Sequence, residues 1–230
     1  MKYVIGNWKM NGDAKLLDDF ASLAGDGVAL CVPFHLLGEK TPMELGAEDC
    51  SLFKSGPYTG DVSADMIAAT GAKYCIVGHS DRRARHNETN EQVRTKAERA
   101  LEAGLTPIIC VGENAELRKA GETLRFVESQ LRESLPADAH GFIVAYEPIW
   151  AISNNLGSGM IPTDEDIKAV HNHIAAILAE LGYGGTAILY GGSANPQNAA
   201  GIMAIENVGG VLVGAKSLNA QDFKGIIDAR

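Results

Sequence analysis

The sequence carries little that would cross-link it, anchor it or draw it to a charged polymer. Its four cysteines, Cys31, Cys50, Cys75 and Cys110, make no Cys-x-x-Cys pair, so neither the ligand spacing of a zinc site nor a disulfide framework is present. Cys31, Cys75 and Cys110 lie inside apolar runs, where a free thiol packs as a small hydrophobe. No apolar stretch approaches the roughly 20 residues that span a bilayer. The N-terminal Met1-Lys2-Tyr3-Val4-Ile5-Gly6-Asn7 lacks the sustained apolar region and small-residue cleavage site of a secretory leader. Positive charge is also short: 20 Lys and Arg face 29 Asp and Glu, a formal net charge of −9. Nucleic acid and anionic membranes both want a basic face, so neither is expected as a partner. No linker, low-complexity tract or long charge block divides the chain. The expectation is a cytoplasmic protein forming one domain over residues 1–230.

What is present is alternation. Hydrophobic residues make up 46% and charged residues 21% of the chain, the mix of a globular protein with a substantial core. Short apolar, β-branched runs extend from Tyr3 to Ile5, Val28 to Val32, Glu44 to Ala47, Tyr74 to Val77, Thr106 to Val111, Phe142 to Tyr146, Thr186 to Tyr190 and Gly210 to Val213. Between them the apolar spacing turns helical, as in Val93, Ala97, Ala100 and Leu101, in Leu124, Val127, Leu131 and Leu135, and in Ile167, Val170, Ile174, Ile177, Leu178 and Leu181. Ser63, Asn90, Thr163 and Asn195 stand where helix N-caps belong, and Gly71, Gly104 and Gly182 where helices end. Met66 and Met203 fall at apolar helix positions and are expected in the core. Continuous apolar strands alternating with helices imply a parallel sheet covered by helices. Eight such units suit an α/β fold closed as a (β/α)8 TIM barrel better than an open doubly wound sheet, although alternation alone allows both.

In a parallel barrel the active site gathers at the C-terminal ends of the strands. The residues that follow each run are therefore informative. Asn7-Trp8-Lys9-Met10-Asn11 follows the first, Gly78-His79-Ser80-Asp81-Arg82-Arg83 the fourth, Gly112-Glu113 the fifth and Glu147-Pro148-Ile149-Trp150 the sixth. Gly191-Gly192-Ser193 and Gly214-Ala215-Lys216 follow the last two. Taken singly, each has an ordinary explanation: a solvated rim carboxylate, a structural histidine, a surface lysine, a glycine cap. Together they bring a lysine, a histidine and a carboxylate to one end, beside two small-residue turns. A carboxylate there suits proton abstraction once partly desolvated. A histidine can donate to a carbonyl oxygen, and a lysine supplies charge where an enediolate develops. The two turns offer backbone N–H groups to a phosphate, which an acidic protein can then bind without a basic surface. His171 and His173 lie on different faces of one helix and make a poor metal pair. The run from Arg82 to His86 reads as a solvated helix start pairing with Asp61 or Glu88.

Asn7-Trp8-Lys9-Met10-Asn11, Gly78-His79-Ser80-Asp81-Arg82-Arg83, Ala145-Tyr146-Glu147-Pro148-Ile149-Trp150-Ala151-Ile152 and Tyr190-Gly191-Gly192-Ser193, in this order, resemble the triosephosphate isomerase family. The resemblance runs over nearly the whole chain. It implies interconversion of dihydroxyacetone phosphate and glyceraldehyde 3-phosphate through an enediolate, in glycolysis and gluconeogenesis, with no metal or organic cofactor. By the same resemblance Glu147 moves the proton, a neutral His79 polarises the carbonyl, and Lys9 with Asn7 holds the oxyanion. The phosphate would rest on backbone N–H groups of Ser193, Gly214 and Ala215 and on Ser153 or Gly157. A homodimer is implied through the loop from Ser51 to Asp61, with Thr59, Tyr58 and Met10 at the interface and Thr59 buttressing the partner's Asn7 and Lys9.

The chain departs from the family in four places. Asp81 stands where the family has Glu beside the lysine, and its shorter side chain is expected to loosen that contact. Ala215 replaces a glycine, which matters if the turn needs a positive φ. Ser153-Asn154-Asn155-Leu156 reads as an insertion in the closing loop. The segment from Gly12 to Lys40 is trimmed, so the first two helices are expected to be short. Two other readings accompany the isomerase: a different sugar-phosphate barrel enzyme sharing the glycine turns, and a phosphate-binding barrel that has lost turnover through its altered lid.

Overall fold

The computed structural model describes residues 1–152 and 161–230. In chain order it contains β1 (Tyr3–Asn7), α1 (Ala14–Asp18), β2 (Val28–Val32), β3 (Glu44–Ala47), α2 (Ala64–Ala69), β4 (Tyr74–Val77), α3 (Ser80–His86), α4 (Asn90–Glu102) and β5 (Thr106–Val111). There follow α5 (Ala115–Lys119), α6 (Thr123–Ser134), β6 (Ile143–Tyr146), α7 (Asp164–Glu180), β7 (Ile188–Tyr190), α8 (Ala199–Ala204), β8 (Gly210–Val213) and α9 (Ala220–Ile227). The strands close in sequence order into one parallel barrel, β8 pairing back onto β1 with Ile5 opposite Leu212. Among the described residues no helix is long and apolar enough to cross a membrane.

Two apolar layers hold the barrel. Ile5, Ala29, Cys31, Ile76, Ile108, Cys110, Ala145, Leu189 and Leu212 fill its interior, while alternate strand residues such as Val4, Leu30, Val77, Ile109 and Val144 meet the helices. This is the two-sided burial that makes parallel strands read as unbroken hydrophobic runs. On β3 the interior position is Gly46, where a Cβ would lie 2.8 Å from both Cys31 Sγ and Tyr74 Cβ. The missing side chain makes room for those two. All four cysteines are free and buried.

The outer ring is thin over the segment from Gly12 to Lys40, as expected. The helix after β1 is the short α1, and between β2 and β3 there is a single 3-10 turn, Phe34–Leu36. Other expectations need correction. Strand β1 runs on to Asn7, and β7 begins at Ile188 because Thr186 Oγ1 donates to Tyr183 O and closes the preceding turn. Thr89, not Asn90, caps α4 with a full capping box. Asn195 accepts from the Gln197 and Asn198 N–H groups in a turn, and α8 starts only at Ala199. Met66, Leu124 and Leu181 are exposed.

Candidate active site

Asn7 is the last residue of β1, and its side chain Oδ1 accepts the Lys9 N–H at 3.1 Å. That bond folds the chain back sharply and holds Lys9 at φ 55, in the left-handed region. The Lys9 ammonium reaches Asp81 Oδ2 at 2.9 Å. The aspartate therefore still meets the lysine despite its short side chain. Burial opposes ionisation of Asp81, but the Lys9 hydrogen bond and the neighbouring His79 hold its carboxyl below the usual range.

His79 sits at the N-terminus of α3, and its Nδ1 accepts the Asp81 N–H at 3.0 Å. A nitrogen that accepts carries no proton, so a neutral imidazole keeps its proton on Nε2. Nε2 lies 2.9 Å from Glu147 Oε1. The other carboxylate oxygen of Glu147 accepts the Ser80 N–H at 3.0 Å. Glu147 is only 3% exposed. Burial pushes its carboxyl up, yet His79, the Ser80 N–H and the Lys9 charge together keep it below the ordinary glutamate value. Gly112 permits this packing, because a Cβ there would fall 1.7 Å from the Glu147 carbonyl oxygen.

The small-residue turns face the same cleft, of about 960 Å3, which Asn7, Lys9, His79, Glu147, Ser193 and Ala215 help to line. Ser193 Oγ donates to Ala151 O at 2.9 Å, joining the turns after β6 and β7. Gly214 leads into the 3-10 turn Ala215–Leu218. Ala215 has no positive φ, since the described non-glycine residues that do are Lys9, Asn87, Asp138 and Asn207. The departure from glycine is therefore unstrained. Ser153, Gly157 and the Ser153–Leu156 insertion lie outside the described residues. Among the described residues no group of three or more His, Cys, Asp and Glu is placed to hold a metal.

The loop from Ser51 to Asp61 is tied at its base by Ser51 Oγ donating to Asp61 Oδ2 at 2.6 Å. Near its tip Tyr58 stacks on Phe53 at 3.8 Å. Thr59 and Tyr58 are exposed, as is Met10 at 96%. The basic run after His79 is largely the expected solvated helix start, with Ala84, Arg85 and His86 exposed and Arg82 on Glu88, but Arg83 departs from it. Arg82 pairs with Asp49 and Glu88, and Asp61 is left to Ser51. Arg83 is turned inward, donating to Gly78 O, Asn90 Oδ1, Cys110 O and Ser134 Oγ.

Sequence reasoning gave Glu113 no role. It is fully buried and accepts from Trp150 Nε1 at 2.8 Å, Tyr146 OH at 3.2 Å and Thr123 Oγ1 at 3.2 Å. Arg118 lies over the Trp150 ring, 4.8 Å from its centroid. The turn that carries Glu147 is thus gripped by an edge and a face. The only sequence signal was a Gly-Glu pair after a strand, and its partners come from elsewhere in the chain.

A family profile described as triosephosphate isomerase matches residues 2–230. The triosephosphate isomerase of Acidiphilium cryptum is 44% identical over 249 residues, covering 98% of this chain and 97% of that protein. That of Ruegeria pomeroyi is 45% identical over 246 residues, covering 99% and 96%. Among solved structures, the crystal structure of triosephosphate isomerase from Bartonella henselae superposes with a TM-score of 0.90 at 36% identity, covering 99% of this chain and 98% of that one.

Proposed function

The chain belongs to the triosephosphate isomerase family, and on that premise we propose which of its residues carry the chemistry. It is an isomerase interconverting dihydroxyacetone phosphate and D-glyceraldehyde 3-phosphate, a reaction of glycolysis and gluconeogenesis. Glu147 is the base that takes a proton from one carbon of the substrate and returns it to the next. His79 donates from Nε2 to the carbonyl oxygen, and Lys9, oriented by Asn7, stabilises the enediolate charge. The observation that carries this reading is the His79–Glu147 pair. The Asp81 N–H fixes the tautomer of the donor, and the Ser80 N–H holds the base ionised beside it.

The substrate phosphate rests on backbone N–H groups of Ser193, Gly214 and Ala215, and on Ser153 or Gly157 from the segment after Trp150. The full chain, residues 1–230, acts as one barrel domain. It works as a homodimer in which the Ser51-to-Asp61 loop, with Thr59 and Tyr58, reaches the partner's Lys9 turn and covers Met10. Supporting this, Met10, Phe34, Phe53 and Tyr58 are large apolar side chains left exposed on the loop and beside the cleft, the kind of surface an interface covers. The cytoplasm is its compartment, in keeping with four free thiols.

Turnover of dihydroxyacetone phosphate in D2O, followed by proton NMR, tests the mechanism. Transfer through a carboxylate lets solvent deuterium reach carbon 2 of the product. Deuterium at that carbon would exclude a hydride shift, whereas product wholly without it together with unchanged kcat in Glu147→Gln would remove Glu147 from its role.

A further inference from the structure

Lys9 holds a backbone conformation, φ 55, that side-chain-bearing residues keep only where their surroundings over-determine it. Much of that determination comes from its neighbour Trp8. The Trp8 side chain is wholly buried, meets Phe20 edge-on at 5.4 Å, and Phe20 in turn meets Phe223 at 5.8 Å. The Trp8 N–H donates to Cys31 O at 3.0 Å, and its carbonyl accepts from Asn11 Nδ2 at 2.8 Å. Gly12 closes over the ring, for a Cβ there would lie 2.4 Å from Cε3 of the indole.

The indole Nε1–H crosses the barrel seam and donates to the Ser217 carbonyl oxygen at 2.7 Å. Ser217 closes the turn that Gly214 and Ala215 open: its N–H and its hydroxyl both donate to Gly214 O, at 2.8 and 2.7 Å. Gly6 allows the approach, since a Cβ there would lie 2.8 Å from Ser217 Cβ. One hydrogen bond therefore joins the turn that presents Lys9 to the turn that presents Gly214 and Ala215.

We propose that Trp8 is a positioning residue whose Nε1–H bond to Ser217 sets the distance between the Lys9 ammonium and the backbone donors of Gly214 and Ala215, so that one triose phosphate engages both. This rests on the phosphate placement given above. Small displacements of substrate-holding groups cost rate and affinity steeply, and a buried carbonyl that loses its donor shifts to recover one.

Trp8→Phe keeps an aromatic ring in the cluster but has no N–H. It is expected to raise KM and the Kd of inorganic phosphate about tenfold, with kcat changed far less and the pH profile of kcat unmoved, because His79 and Glu147 keep their contacts. Benzothienylalanine placed at position 8 has the shape of indole with sulfur in place of N–H. It is expected to do the same, and it covers the case in which the phenylalanine variant does not fold. Phe20→Leu loosens the same cluster while leaving the hydrogen bond, and is expected to lower Tm with KM unchanged. Wild-type KM and phosphate affinity in the benzothienylalanine protein, or an equal rise in KM for Phe20→Leu, would overturn the proposal. Titrating inorganic phosphate into wild-type protein separates the two ideas: unmoved Gly214 and Ala215 amide resonances would sink the phosphate placement itself.

Discussion

His79 Nε2 and Glu147 Oε1 stand 2.9 Å apart although they leave the barrel from β4 and β6, with β5 between them. The intervening strand ends in Gly112, whose bare backbone lets the sixth strand's turn lie against it. A donor and a base so placed face one cleft from two directions.

Lys9 is the first place to perturb this arrangement. Lys9→Met keeps the bulk of the side chain and deletes the charge proposed above to stabilise the enediolate. It should lower kcat/KM by about 10²–10³, the scale for losing one preorganised electrostatic contact. It also removes the Lys9 ammonium from Asp81, so the Asp81 carboxyl should rise in pKa, as carbon-detected NMR titration would register. A variant retaining more than half the wild-type kcat/KM would contradict the role given to the lysine.

Glu113 should matter for stability and for the tryptophan signal together. Glu113→Gln leaves one acceptor oxygen for the three donors that Glu113 now satisfies, Trp150, Tyr146 and Thr123. A cost of about 2–3 kcal/mol is expected for a buried donor left unpaired. Urea unfolding measures the loss, and Trp150 emission should shift with it. Unchanged emission and midpoint would mean the carboxylate does not hold the indole.

His171 should make the protein acid-sensitive. Burial lowers its pKa from 6.5 to about 4, against the hydrogen bond to Asn207 O. Between those values the unfolded chain binds the proton and the native one does not. The stability tied to this residue is therefore complete above pH 6.5 and is lost as pH falls toward 4. The loss amounts to about 3 kcal/mol. His171→Gln should flatten the difference in unfolding free energy between pH 7 and pH 4.5. An unchanged slope would argue against the buried neutral ring.

Glu48, bordering the cleft beside Lys9, works in the opposite direction. Burial raises its carboxyl to about 8, over the lowering effect of the Lys9 N–H and charge. The native state here favours the protonated form, so its contribution is full below pH 4.5 and is lost as pH rises through 8. Glu48→Gln removes that loss. It should stabilise the protein at pH 8 by on the order of 2 kcal/mol, discounted for partial exposure, and have little effect at pH 4.5. Thermal unfolding at the two pH values decides it, and an equal shift at both would contradict the account.

The barrel was legible because its strands are buried on both faces and so read as short unbroken apolar runs between polar breaks. The cleft residues were legible because strand ends mark one rim of such a barrel. Other features depend on contacts that sequence order hides. Lys9 takes a left-handed backbone because Asn7 and Trp8 hold the turn from both sides. Arg83 looks like one of several surface arginines, yet it satisfies carbonyls from two strand ends. Glu113 gains meaning only when Trp150 and Tyr146 arrive from the sixth strand and its turn. Met66 misleads because α2 spans only Ala64–Ala69, too short for its apolar spacing to fix a buried face.

Whether this chain isomerises triose phosphates with Glu147 as the base is decided by a coupled assay of purified wild-type protein and Glu147→Gln. The amide keeps the shape of the side chain and cannot accept the proton. Vigorous turnover is expected in the wild type, with a fall in kcat of about 10²–10⁴ in the variant and nearly unchanged affinity for inorganic phosphate. Near wild-type kcat in Glu147→Gln, or no turnover in the wild-type protein, would contradict that reading.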